Sequence, residues 1–316
     1  MITHLSGAAA PFGNSFKAGV ELAAQDLGTD WISVSFEDDE FSAGRAVTAF
    51  QTLLKRGVDV VLCSSSTPCS AIAPLAEQRA IPLIAWASDD RISRGRRYVL
   101  RNYPSGAVEG RVVAEDEMRR GVDKMALVIS QNAYSESWAV GVREVIPRDR
   151  LVFDEQLSGA DTDVRSIAAK VLHKRTDSVG LCVNPGQNAA LALQLRQQNY
   201  RGRFFGCAYL SDPNEIEAAR GSLDGATYPT PQASPEFAAK LSTRSDIAVP
   251  IVAANAYDAV SLLKQAWTAR RLADLSTYLL TLPQQAGAAG PLVVRNSNAD
   301  VYFDFPIVVA TAARTR

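Results

Sequence analysis

Short apolar runs alternate with amphipathic stretches along most of this chain, and the alternation comes in two series. In the first, residues 31–36 predict a strand and 43–55 a helix, with Ala46, Val47, Phe50, Leu53 and Leu54 at helical spacing. Residues 58–62 predict a strand buried on both faces. Ser66 or Thr67 caps the next helix, which runs to about residue 78 with Pro68 in its first turn, and 81–85 is another buried strand. In the second series, helices are predicted at 106–120, at 135–145, after a cap at Asp161 or Thr162 as far as His173, and at 188–198. Strands at 124–129, 151–156, 178–183 and 203–207 separate them. Such alternation with short connections implies parallel sheets and right-handed crossovers. The break at 102–105 divides it into two doubly wound lobes.

Beyond residue 224 the rhythm changes. Residues 225–228 predict a strand, after which Pro229, Pro231 and Pro235 enforce an extended crossing. Residues 251–270 form the longest predicted helix, with Ala254, Tyr257, Val260, Leu263 and Trp267 along one face. A short helix at 274–282 and strands at 290–294 and 301–309 close the chain.

Composition adds exclusions. A length of 316 residues suits two domains, and 47% apolar with 21% charged residues describes a folded rather than a disordered chain. With 33 basic and 34 acidic residues the net charge of −1 leaves no electrostatic footprint for nucleic acid or an anionic membrane. The densest basic stretch, Arg91, Arg94, Arg96, Arg97 and Arg101, reads as a solvated connection. No stretch reaches the roughly 18 apolar residues of a membrane helix. The opening Met1-Ile2-Thr3-His4 lacks a basic segment followed by an apolar one, so any secretion signal is expected to have been removed or never to have existed.

Catalytic chemistry is hard to find. There is no G-x-S-x-G elbow, no H-E-x-x-H, and no G-x-G-x-x-G after a strand. Ser261-Leu262-Leu263-Lys264 fits S-x-x-K by chance inside an amphipathic helix. His4 sits in the first strand and His173 near a helix end, and neither has an evident triad. The four cysteines lack zinc-type spacing, so neither a metal site nor a cofactor is expected. Free, buried thiols are expected at Cys63, Cys69, Cys182 and Cys207.

Several segments, in order, resemble the leucine/isoleucine/valine-binding family of periplasmic solute-binding proteins. These are Leu5-Ser6-Gly7 with Pro11-Phe12-Gly13, the acidic turn Glu37-Asp38-Asp39, and the serine loop Cys63-Ser64-Ser65-Ser66-Thr67. They continue with Ile81-Pro82-Leu83-Ile84 before Ala87-Ser88, then Tyr134, Tyr257-Asp258-Ala259-Val260 and Gly290-Pro291-Leu292. The resemblance covers nearly the whole chain. It implies the type I periplasmic binding fold, an α/β architecture of two doubly wound parallel-sheet lobes joined by a three-segment hinge. Residues 1–104 plus 232–288 would form the N-terminal lobe, and 105–231 plus 289–316 the C-terminal lobe. It also implies an extracytoplasmic receptor that passes one small polar ligand to the membrane permease of an ABC transporter, acting as a monomer and without catalysis. A cytoplasmic ligand sensor of the same fold, acting on a regulatory partner, is the alternative.

Ligands of open α/β sheets bind beyond the carboxyl ends of the strands. The hydroxyls and N–H groups of Ser64, Ser65, Ser66 and Thr67, at a helix start, suit a carboxylate or another acceptor-rich group, or one of them simply caps the helix. Family position adds Phe12 as an aromatic wall, with Ala87, Ser88 and Asp89 on the first lobe and Tyr134, Asn184 and Ala208 on the second. Tyr209 is added by adjacency. Two departures stand out. Ala208 occupies the place where amino-acid binders of the family carry an ammonium-binding carboxylate, and Asp89 stands where a hydroxyl residue is usual. Either Asp89 has taken over the ammonium, or the ligand has none, or Asp89 turns outward beside Asp90 and pairs with Arg91 or Arg94. Trp86 either packs a ligand or belongs to the core, and Asn184 either touches ligand or caps a helix. Cys63 is where the family often has half of a disulfide, but Phe41 holds the partner position.

Overall fold

The computed structural model describes residues 1–158, 164–242, 244 and 247–314. The chain makes two compact units, Met1–Pro104 with Pro231–Pro306, and Ser105–Thr230 with the tail from Ile307, and so crosses between them three times.

The first unit opens with β1 (Ile2–Thr3), α1 (Ala10–Asp26), β2 (Glu37–Asp38), α2 (Ala43–Lys55), β3 (Val61–Ser64), α3 (Ser66–Gln78), β4 (Leu83–Trp86) and β5 (Val99–Arg101). The second holds α4 (Gly106–Arg119), β6 (Met125–Ser130), α5 (Ala133–Val145), β7 (Leu151–Leu157), α6 (Val164–His173), β8 (Ser178–Cys182), α7 (Gln187–Gln197), β9 (Arg203–Gly206), α8 (Pro213–Ala218) and β10 (Thr227–Thr230). The chain returns to the first unit as α9 (Pro235–Leu241), α10 (Pro250–Thr268), α11 (Leu275–Leu279), β11 (Gln285–Gly287), β12 (Gly290–Ser297) and β13 (Asp300–Asp304). It ends in the second as β14 (Val308–Thr311).

The first sheet runs β11-β12-β13-β5-β4-β3-β1-β2 and the second β14-β10-β9-β8-β6-β7. Each is parallel at its centre, with antiparallel pairing only where the returning strands join, at β11–β12–β13 and at β10–β14. Central strands such as β3 and β6 are buried at every residue, as strands covered by helices on both faces must be. α2 shows the half-buried logic: Ser42 caps it through Arg45 N–H, and Ala46, Ala49, Phe50 and Leu53 turn inward. α1 and α10 approach so closely that a Cβ at Gly19 would collide with the backbone of Ala253. In the second unit, Gly110 and Gly141 let α4 and α5 touch backbone to backbone in the same way.

Several expectations need correction. Residues 31–36 are not a strand, because β1 offers only Ile2 and Thr3 for pairing and β2 is confined to their partners Glu37 and Asp38. Residues 289–306 belong to the first unit and not to the C-terminal lobe, since β12 and β13 extend the first sheet and Tyr302 pairs with Arg101. The helix expected at 274–282 is a 3-10 turn at Leu272–Asp274 followed by α11. Neither Ser66 nor Thr67 caps α3; Ser65 holds that place. The proposed caps Asp161 and Thr162 lie outside the described residues.

The cysteines are not free. Cys63 bonds to Cys69 and Cys182 to Cys207, with Cα atoms 5.8 and 5.3 Å apart. The turn from β3 into α3 folds Cys69 back over Cys63, and β8 and β9 are sheet neighbours, which the sequence spacing does not show. Nor is the arginine stretch wholly solvated, because Arg101 is buried completely.

Candidate ligand-binding site

The loops beyond the carboxyl ends of the first sheet gather most of the predicted residues of that unit. Between β3 and α3 the backbone turns at Ser65 with φ of +70°, a region few residues other than glycine adopt. It is held there by Ser65 N–H donating to the Trp86 carbonyl at 2.8 Å and by Cys69 N–H donating to the Ser65 carbonyl at 3.1 Å. The Cys63–Cys69 disulfide brackets the same turn. Ser66 Oγ accepts the N–H groups of Ser88 and Asp89 at 3.0 and 3.3 Å, which fixes the β4 loop against the serine loop.

Asp89 takes the third of its readings in modified form. It pairs with Arg91, whose Nε donates at 2.9 and 3.1 Å and Nη2 at 2.9 Å, but it does so while itself buried. Asp90 pairs with Arg94. A carboxylate clamped in this fashion is neutralised within its own loop.

Aromatic groups line up beside this loop. Phe12 stacks on Trp86 with ring centroids 6.4 Å apart, Phe16 lies 5.9 Å from Trp86, and Tyr103 meets it edge-on at 5.9 Å. Trp86 thus joins a ring cluster at the loop end, and its Nε1 donates to Asn255 Oδ1 of α10 at 3.2 Å. Ala87 is buried, and its carbonyl accepts from Arg101 Nη1 at 3.2 Å.

Sequence reasoning missed the polar group beneath the serine loop. Thr3 Oγ1 lies 2.5 Å from Ser64 Oγ. His4, completely buried, places Nδ1 3.4 Å from Ser64 Oγ and 3.6 Å from Asp39 Oδ1, and Nε2 3.4 Å from Ser65 Oγ. A Cβ at Gly13 would collide with the His4 carbonyl, so α1 presses directly on this residue. The available signal was positional: Thr3 ends β1 and His4 follows it, on the edge that carries the serine loop.

In the second unit, Tyr134 starts α5 behind the cap Asn132, and its hydroxyl accepts Ala208 N–H at 2.9 Å. Its ring meets Tyr209 edge-on at 5.1 Å. Burial pushes the Tyr209 phenol up, keeping it neutral. Asn184 N–H donates to Ser130 Oγ at 2.9 Å, and Asn184 Oδ1 accepts from Asn132 Nδ2 at 2.9 Å, so Asn184 braces neighbouring loops and does not cap α7. Glu215 receives Gly186 and Ala189 N–H groups at 2.5 Å each, holding the turn into α7; burial still pushes its carboxyl up. The Cys182–Cys207 disulfide ties the two strand ends from which Asn184 and Ala208 follow. These four predicted residues therefore lie at one edge of one sheet.

A cavity of about 330 Å³ in the first unit opens elsewhere, among Met1, Trp31, Val60, Leu263 and Trp267. It lies at the amino ends of β1 and β3, away from the loops described above.

The two sheets, their crossovers and the loop-end placement define a two-lobed solute-binding fold of type I. A family model described as periplasmic binding protein matches residues 1–277, and the chain belongs to that family. No curated protein matches the sequence. Among solved structures, a solute-binding protein of an ABC transporter from R. palustris, in complex with benzoate, superimposes with a TM-score of 0.86 at 21% identity, covering 99% of this chain and 92% of that one. A second from R. palustris, in complex with 4-hydroxybenzoate, gives 0.87 at 16%, covering 99% and 92%. A leucine-binding protein from Thermotoga maritima gives 0.83 at 17%, covering 98% and 93%. At these identities the likeness is one of fold.

Proposed function

We propose that this chain is the extracytoplasmic receptor of an ABC transporter, taking one small organic acid by hinge closure and releasing it unaltered to a membrane permease. The observation that carries this reading is the clamp of Asp89 by Arg91 beside the hydroxyls of Ser64 and Ser65. With position 208 an alanine, both places considered for holding an α-ammonium are unsuited to it. What remains at the first loop end is a set of hydroxyls for an acceptor-rich group and the rings of Phe12 and Trp86 for an apolar body. Tyr134, Asn184 and Tyr209 would supply the second unit's contacts. The benzoate and 4-hydroxybenzoate complexes among the structural neighbours favour an aromatic carboxylate. Two disulfides fit an oxidising compartment and weigh against the cytoplasmic sensor.

The experiment is a thermal-shift and calorimetric panel of benzoate, 4-hydroxybenzoate, benzamide and leucine. A binder at a hundredfold excess over Kd stabilises by roughly 3 kcal/mol, and the aromatic acids should lead. Replacing Ser64 and Tyr134 together by Ala should weaken them without unfolding the protein. Silence across the panel, or unchanged affinity in the double variant, dismisses the reading.

A further inference from the structure

We infer that the Cys63–Cys69 disulfide belongs to the ligand site: Cys69 is a positioning residue that holds Ser65 in a backbone conformation serine would otherwise leave, and opening the bond disables the serine loop in a protein that stays folded. This takes the serine loop as the first unit's ligand contact, as proposed above.

Ser65 has φ of +70° and ψ of 145°, at the border of a region that is almost glycine's alone. Ala80, Asn199 and Arg270 also have positive φ, but they follow helices, where a left-handed residue commonly closes the last turn. Ser65 precedes a helix. It holds the N-cap place of α3, yet its side chain makes no capping bond, so capping does not explain the turn. The second unit supplies a comparison within the same molecule. There the residue before α7 has φ of +88°, but it is Gly186, which has no Cβ to oppose that conformation. The bond near it, Cys182–Cys207, joins ends 25 positions apart and makes no tight ring around the turn. Where serine stands in glycine's place, the chain closes a ring over 6 positions. Ser64, Ser65, Ser66, Thr67 and Pro68 lie inside it.

Cys69 grips this turn twice. Its N–H donates to the Ser65 carbonyl at 3.1 Å, and its sulfur is tied to Cys63, which β3 fixes between Ile2 and Ala85. With the bond opened, the first turn of α3 can draw back, and Ser65 can relax to negative φ by rotating the peptide that joins it to Ser64. That rotation withdraws Ser65 N–H from the Trp86 carbonyl, 2.8 Å away, and carries the hydroxyl with it. Ser66 Oγ, which accepts the N–H groups of Ser88 and Asp89, transmits the displacement to the β4 loop.

The other disulfide is redundant at its loops. β8 and β9 are already paired as far as Leu181 and Gly206, and Cys207 N–H donates to the Leu181 carbonyl at 3.2 Å. Beyond them, Val183 and Asn188 exchange bonds of 3.1 and 3.2 Å, and Ala208 N–H reaches the Tyr134 hydroxyl. Losing Cys182–Cys207 should therefore cost stability, as its larger ring predicts, and leave the loops in place.

Benzoate calorimetry well below melting tests the separation. Cys63→Ala with Cys69→Ala should weaken benzoate at least tenfold in a protein that still melts cooperatively. Cys182→Ala with Cys207→Ala should lower the melting temperature further, yet hold benzoate within twofold. Ser65→Gly and Ser65→Ala, which lose the same hydroxyl, isolate the backbone effect. With the Cys63–Cys69 bond intact they should bind benzoate within twofold of each other. Without it, the Ser65→Gly form should bind roughly fivefold or more tighter, because alanine resists positive φ and glycine does not. Should the paired variant not fold, Cys69→Ala alone opens the same ring and carries both comparisons. Equal loss of affinity from the two disulfides, or no advantage of Ser65→Gly once the bond is gone, overturns the inference. Should benzoate bind none of these proteins, the aromatic-acid reading fails by itself, and hydrogen exchange of the amide at position 65 decides. Faster exchange without the bond, slowed again by Ser65→Gly, upholds the lock; unchanged exchange refutes it.

Discussion

Arg101 Nη2 donates to Asp300 Oδ2 across 2.6 Å with the guanidinium completely buried. The remaining donors of Arg101 reach the carbonyls of Ala87 and Tyr103 at 3.2 and 2.7 Å and Ser93 Oγ at 3.2 Å, so one cation binds the β4 loop, β5 and β13 together. Removing one member strands the other charge. Arg101→Met should cost about 3–5 kcal/mol in urea denaturation, and adding Asp300→Leu should recover much of it. A loss in the double variant equal to the sum of the two single losses would show that the pair is not coupled.

The two disulfides should differ in weight. In the chain-entropy account, the Cys182–Cys207 bond, whose ends are 25 positions apart in sequence, stabilises by about 3.5 kcal/mol, and the Cys63–Cys69 bond, whose ends are 6 apart, by about 2.2 kcal/mol. Thiol titration of the native oxidised protein should find no reactive cysteine. Paired Cys→Ser variants compared by thermal melting should rank in that order.

Asp258 gives a pH dependence with a definite sign. Its carboxylate accepts Ala288 and Ala289 N–H groups at 2.6 and 2.9 Å, yet burial outweighs these bonds and pushes its pKa up to about 6 from 3.8. The folded state therefore holds the proton more tightly than the unfolded chain does. Stability should fall as pH rises from about 4 to about 6, by up to about 3 kcal/mol, and level off above. Asp258→Asn, which keeps an acceptor and loses the titration, should flatten that limb in melts recorded across the range.

Tyr134 combines two roles that substitution can separate. Tyr134→Phe keeps the edge-on contact with Tyr209 and loses the acceptor for Ala208 N–H, a change of about 1 kcal/mol. Tyr134→Ala loses both. Benzoate calorimetry should show a small change for the first and tenfold or greater weakening for the second.

The order Asp39, His4, Ser65 is that of a hydrolase triad, but the 3.6 and 3.4 Å separations are long for one. Incubation with a nitrophenyl ester should give neither a burst nor turnover above that of the Ser65→Ala variant.

Much of the fold was legible because period and burial agree. α2 shows its apolar face at the spacing read from Ala46 to Leu53, and β3, β4, β6 and β8 are apolar runs buried on both sides. What failed depends on contacts far apart in sequence. Residues 31–36 have strand composition, but a strand needs a partner, and β1 pairs only as far as Glu37. Residues 289–306 look alike whichever sheet they join, and the choice is made by Tyr302 against Arg101. Ser64, Ser65 and Phe12 were readable from the motif order, whereas His4 was not, because its neighbours Asp39 and Ser65 come from two other strand ends. The fate of Asp89 hung on the rotamer of a residue two positions away.

The three crossings also set an order of assembly. The segment from Ser105 to Thr230 has nearly all its strands as soon as it is made, wanting only β14. The opening hundred residues have no such independence. α1 must wait for α10, with Gly19 against Ala253, and β5 must wait for β13. A growing or threading chain therefore carries its earliest helix with one flank bare until the last fifth arrives. Fragments cut at residue 230 should clump, whereas a 105–230 piece should remain dispersed.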